Sequence, residues 1–245
     1  MPDNKTDAGK AAHRAQPEAD LAGARGVLDS AATALVNRLI AFGISGLGPL
    51  DSVQEVAAEA LQEAGGDREK AIDTIVSSHY KLVAAQGFAT GIGGFVTLPV
   101  ALPANVAGFF TLATRAIGAI AHLRGHDLSD PQVRTAIMLT LMGSDAKGLL
   151  GKVQGVTVTG KLADAAADGL PPATLMFLNK GVGFHLLSQA GKQRISRVLG
   201  RGVPLVGGVV GAGADTWLLR EMLNNARTEF ETKVEFYPHE EKPKE

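Results

Sequence analysis

Residues 155–161 read GVTVTGK, which fills the first seven positions of a phosphate-cradling P-loop with glycines and lysine at the required places. The eighth position must supply a Ser or Thr hydroxyl for Mg²⁺, and here it is Leu162. The preceding GLLGKVQ is also a poor match for the apolar strand that should lead into such a loop. Nucleotide binding is therefore not expected. His122 and His126 stand four apart with Asp127 beside them, a spacing that on a continuous helix would turn two imidazoles toward one metal ion. Gly125 intervenes, and a glycine there suits a left-handed helix end better than a helix interior. His126 and Asp127 are then expected to turn the chain toward Asp130 and Pro131, with His122 an interfacial or core histidine.

Other catalytic patterns are missing. Neither GISGLG nor LMGSDAKG forms the G-x-S-x-G elbow of a serine nucleophile, and no H-E-x-x-H occurs. With no cysteine, thiol catalysis, disulfides and cysteine-held metals are excluded. No catalytic residue, metal site or cofactor is expected. The polar residues set within otherwise apolar segments are few: Asn105, Arg115, Asn179, His185 and Asp215. Each must be solvated, paired or functional, because an unpaired buried charge is costly. Arg115 and Asp215 each interrupt a long uncharged run, so a salt bridge between them would tie two glycine-rich segments together.

The elements that would position these residues are helical. Leu28, Ala32, Leu35, Leu39 and Phe42 recur at helical spacing over 27–42, and GISGLGP stops that helix. Ser52 and Glu55 have the spacing of a capping box for a second helix with Val53, Val56, Ala57, Ala60 and Leu61 inward. Asp67 is a suitable N-cap for a third, in which Ile72, Ile75, Val76, His79, Leu82 and Val83 share a face. Asp130 and Pro131 open another helix, which Gly143 and Ser144 end. Residues 144–171 read as a loop. Helical periodicity returns over 172–199 and 203–230, where Leu219, Leu223, Ala226 and Phe230 form a stripe.

Residues 82–114 contain no ionisable side chain, long enough to span a bilayer. Pro99, Pro103 and Asn105 fall in the middle and argue against one lipid-exposed helix. Two helices meeting at an LPVALP corner are expected instead. Gly87 and Gly91 on one side, and Gly207 and Gly211 in VPLVGGVVGAGAD, have the small-xxx-small spacing that lets helix backbones approach closely. Such a hairpin can be buried, or it can face lipid or an apolar ligand. In the second case Phe95, Leu98, Pro99, Leu102, Phe109 and Phe110 would make the contact.

Composition narrows the class further. Lys and Arg number 24 against 25 Asp and Glu, so no overall field steers the chain to nucleic acid. Aromatics make up only 5% while glycines number 30, which suits tightly pressed helices with small residues between them. The polar N-terminal stretch carries no secretory apolar run, so a cytoplasmic location is expected. Residues 1–26 and 237–245 read as tails around a single domain over 27–236.

In order along the chain, GFATGIGGFVTLP, LPANVAGFFTLATRAIGAIAHLRGHDLSDPQVR, LNKGVGFHLL and VPLVGGVVGAGAD resemble the landmarks of the EcsC family over about residues 50–232. The resemblance implies a helical bacterial protein, without a catalytic motif that maps onto these residues. The family often has Asp shortly after the LP corner, where this chain has Asn105, so acid–base chemistry at that position is not expected.

The expected protein is thus all-α, a compact multi-helix domain with a glycine-rich apolar hairpin and no significant sheet. It is expected to be non-catalytic and to associate with membrane lipid, an apolar ligand or a membrane-bound partner, peripherally at the inner membrane, and not with nucleic acid. One alternative is a hydrolase-like site built from Arg115, His126 and Asp127, with Asn105 and Asp215 as further polar candidates. Another is a purely structural interaction module.

Overall fold

Helix starts in this chain are set by side chains that satisfy the first free backbone N–H groups. In the computed structural model, which describes residues 25–46, 51–92, 94–153, 169–200 and 204–232 and their side chains except at 90–105 and 190–211, these caps are formed. The Ser52 hydroxyl accepts from the Glu55 N–H at 3.2 Å and the Glu55 carboxylate accepts from the Ser52 N–H at 2.7 Å, opening α2 (Val53–Glu63). Before it, α1 runs over Arg25–Ile44, its last turn widened into a π-helix at Ile40–Ile44. Asp67 accepts from the N–H groups of Glu69 and Lys70, both at 3.1 Å, and starts α3 (Arg68–Ile92). Asp130 accepts from the Gln132 N–H at 2.8 Å, with Pro131 as first residue of α5 (Pro131–Thr140).

Between them lies α4 (Gly94–Leu123), and after α5 come α6 (Asp145–Leu150), α7 (Pro172–Gly200) and α8 (Pro204–Glu229). No strand occurs among the described residues, and the fold is all-α as expected.

The hairpin departs from expectation in where it turns. The chain is helical through LPVALP, and the break falls between Ile92 and Gly94. Pro99 and Pro103 stand one turn apart, so the N–H missing at Pro103 would have bonded the Pro99 carbonyl. Two lost bonds within a helix of about 45 Å do not end it. Gly91, Gly93 and Gly94 crowd three poor helix formers into four residues, and α3 ends and α4 begins among them.

Three smaller differences have local causes. Arg25 and Gly26, expected in the tail, are already helical. Leu82, expected on the core face of α3, is exposed, because the face that packs carries Ile72, Ile75, His79 and Val83. The stretch expected to be a loop begins with α6, while GVTVTGK and Leu162 lie outside the described residues, as do residues 1–24 and 233–245.

α3 and α8 run antiparallel. Near one end Arg227 bonds Asp73, and toward the other Gly87 meets the Ala212 backbone. α4 lies against both and returns along α3, with Arg124 bonded to Glu69 and Gly108 against the Gln86 side chain. The α8 stripe of Leu219, Leu223, Ala226 and Phe230 is wholly buried against Ile72 and Ile75 of α3 and Ile117 and Ile120 of α4 in one continuous core. α5 adds Ile137, Met138 and Leu139, and α7 adds Leu178, Val182 and Leu186. α1 lies on α7, its Asp29 ion-paired with Lys180 and its Ala32 carbonyl against Gly183.

Candidate functional site

The bundle has two unlike ends, and the difference follows from where the sequence places its charges. At one end the Arg124 guanidinium holds three elements together. It donates to the Glu69 carboxylate at 3.0 and 3.1 Å, to the Phe230 carbonyl at 2.7 Å and to the Arg227 carbonyl. Satisfying the last carbonyls of α8 with a charged donor also suits the negative end of that helix.

The G-H-D turn sits beside this network. Gly125 has φ 85°, the left-handed value that ends α4. His126 Nε2 donates to the Glu231 carbonyl at 2.8 Å, and the ring stands edge-on to Phe230 with centroids 5.2 Å apart. The Asp127 carboxylate accepts from the Ser129 N–H and hydroxyl, both at 2.8 Å. Together with Gln54, Arg68 and His122 these residues border an open cavity of about 420 Å³ between α2 and the end of α4. Arg115 is not among its lining residues, so the three residues of the hydrolase alternative do not converge. His126 and Asp127 are engaged in closing the turn. Among the described residues no cluster of three His, Cys, Asp or Glu side chains could hold a metal ion.

Arg115 is buried at 5% exposure in the middle of α4, and its partner is not Asp215. Its Nη2 donates to the Asp51 carbonyl and lies 3.9 Å from the Asp51 carboxylate, at the entry to α2. Burial lowers its pKa, while Asp51 and Glu55 oppose that shift. Asp215 faces another way, its carboxylate against Gly87 of α3. Near Arg115 lies His79, 2% exposed, whose Nδ1 donates to the Ile75 carbonyl at 2.8 Å and whose Nε2 has no partner. Burial is the main cause that pushes the His79 pKa down to about 4, and the Arg115 charge adds to it.

The opposite end is uncharged along three helices. The last turns of α3 and the first half of α4 belong to the run 82–114 without an ionisable side chain, and α8 carries none from Pro204 to Ala214. Phe88, in the last turns of α3, is 39% exposed, while Leu82 and Trp217, 48% and 66% exposed, lie nearer the middle of α3 and α8. Two described helical segments are long and apolar enough to cross a membrane. Val106–Leu123 is mostly core, whereas Arg25–Ile44 is mostly exposed.

Of the contact residues expected from the sequence, Phe109 and Phe110 are buried in the core, packed edge to face with centroids 5.2 Å apart. The α4 face that carries them turns inward, which the uniformly apolar run concealed. Phe95, Leu98, Pro99, Leu102 and Asn105 lie on the helical first half of α4, with their side chains outside the described residues. Trp217 and Phe88 were not singled out by the sequence reading. The signal was available: Trp217 falls off the Leu219–Leu223 stripe, on a helix whose stripe is the buried side.

The sequence model of the EcsC protein family matches residues 30–233, most of the chain. No curated protein matches it. No solved structure matches it either.

Proposed function

This chain belongs to the EcsC family, and from that premise we propose that it is a non-catalytic protein that docks peripherally on membrane lipid with the uncharged end of its bundle. One observation carries the reading: three helices, α3, α4 and α8, bring uncharged sequence to the same end, with Phe88 exposed in the last turns of α3. Single exposed apolar side chains need no explanation, whereas three uncharged helix ends gathered at one end of a bundle do. Trp and Phe beside such a surface suit the headgroup boundary, where an aromatic ring is half in hydrocarbon.

The buried partners of α4 argue for docking by the tip and against insertion of the whole helix. Ala113 to Ala121 of α4 are buried against protein, so lipid would have to displace the core to reach them. The polar end argues against catalysis at the G-H-D turn, because His126 and Asp127 close the turn and Arg115 serves α2.

Flotation with phosphatidylcholine vesicles tests the reading. The wild type is expected to rise with the vesicles, and Phe88→Asp with Trp217→Asp is expected to leave the protein in the soluble fraction with its helical content unchanged. A wild type that never floats sinks the proposal.

A further inference from the structure

The uncharged end adjoins a stretch of one-sided charge. No Asp or Glu occurs between Asp168 and Asp215, while Lys192, Arg194 and Arg197 fall in the last turns of α7. α7 ends at Gly200 and α8 begins at Pro204, so those turns lie where α8 starts. Because α8 runs antiparallel to α3, that is also where α3 ends and α4 begins. No acid occurs between Asp73 and Asp127 either, so the α3–α4 hairpin brings none to this end.

We infer that this end selects anionic lipid headgroups, through the juxtaposition of the basic last turns of α7 with the uncharged ends of α3, α4 and α8. The inference rests on the lipid-docking reading above. Basic residues at a helix C-terminus also complement the helix dipole, but that effect fades within the final turn. It accounts for Arg197 and leaves Lys192, Arg194 and the missing acids unexplained.

The rest of the molecule supplies the matching asymmetry. Glu55, Glu59 and Glu63 are gathered on α2, toward the other end, where Asp67, Glu69 and Asp73 are ion-paired with Lys70, Arg124 and Arg227. With a net charge of −1, the protein is repelled little overall yet carries a charge axis. A negative bilayer surface orients that axis with the apolar, basic end inward. Lysines and arginines beside an apolar contact are the usual combination for anionic membranes, where each adds about 1 kcal/mol near the surface.

The test compares flotation with phosphatidylcholine vesicles and with the same vesicles containing a minority of phosphatidylglycerol. Wild type is expected to partition more strongly into the anionic vesicles, with the advantage shrinking as NaCl rises. Arg194→Glu with Arg197→Glu should lose that advantage, by roughly fivefold per charge removed, while still floating with phosphatidylcholine. Arg194→Lys with Arg197→Lys should keep it. If the glutamate pair fails to fold by circular dichroism, the glutamine pair and the salt series on wild type decide the matter. Equal wild-type partition into both vesicles overturns the inference and leaves lipid docking standing. Flotation with neither removes both.

Discussion

Gly87 of α3 lies against Ala212 of α8 so closely that a Cβ on Gly87 would sit 3.1 Å from the Ala212 Cα and 3.1 Å from the Asp215 carboxylate. This is the contact by which α8 reaches the uncharged end alongside α3. Gly87→Leu is expected to destabilise the protein by about 1–3 kcal/mol, because the obstructing atoms include backbone. Gly213→Ala makes the comparison: a Cβ there meets open space, and helix propensity should stabilise by up to about 1 kcal/mol. Urea unfolding of the two variants checks both signs. A Gly87→Leu protein as stable as wild type would mean that the helices do not cross so closely.

His79 makes stability depend on pH. Its Nδ1 carries the proton donated to Ile75, so further protonation must place a proton on Nε2, which has no acceptor. The folded pKa is near 4, below the ordinary histidine value of 6.5. Between those values the unfolded chain binds a proton that the folded one refuses, so stability rises with pH across that window. It is complete above 6.5 and falls by about 3 kcal/mol on acidification to pH 4. His79→Leu should flatten that slope. Urea midpoints at pH 7, 6 and 5 for both proteins measure it, and parallel slopes would count against the assignment.

Arg115 should matter far more than the carboxylate beside it. Its hydrogen bond goes to the main chain of Asp51, so changing the Asp51 side chain leaves that bond in place. The Asp51 carboxylate is largely exposed and 3.9 Å away, the geometry of a weak surface pair. Arg115→Ala is expected to cost about 2–4 kcal/mol through the lost bond and the space left behind, and Asp51→Ala less than about 1 kcal/mol. A double-mutant cycle of Arg115→Ala with Asp215→Ala should be additive within about 0.5 kcal/mol. Strong coupling in that cycle would restore the salt bridge between Arg115 and Asp215 that the sequence leaves open.

The parts of the fold legible in the sequence are those decided locally. Ser52 with Glu55, Asp67, and Asp130 with Pro131 act within three residues of themselves, so spacing alone identifies them. Gly125 and the stripe from Leu219 to Phe230 are equally local. What stayed hidden depends on distant chain. Arg115 bonds a carbonyl 64 residues away, and a backbone acceptor leaves no mark on side-chain pattern. The inward turn of Phe109 and Phe110 was illegible because periodicity is marked most clearly by charged residues on the outer face, and residues 82–114 supply none. Rules for isolated helices favour a turn at Pro99 and Pro103, whereas α3 ends and α4 begins at a cluster of glycines a few residues earlier.

Trp217 makes docking observable from the flank of the bundle. It is the only tryptophan in the sequence, and it is mostly exposed. Along α8 it lies between the Arg227–Asp73 pair and the Ala212–Gly87 contact, and Leu82 lies in the matching interval of α3. In buffer its emission should be that of a wetted indole and should be quenched readily by acrylamide. If the uncharged end meets lipid, vesicles should shift the emission to shorter wavelength and protect it from acrylamide, because the ring moves from water to the headgroup boundary. Phe88→Asp should weaken both changes without altering the spectrum in buffer. Flotation accompanied by an unchanged Trp217 spectrum would mean that lipid is met by another face, with the exposed side of α1 the next to examine.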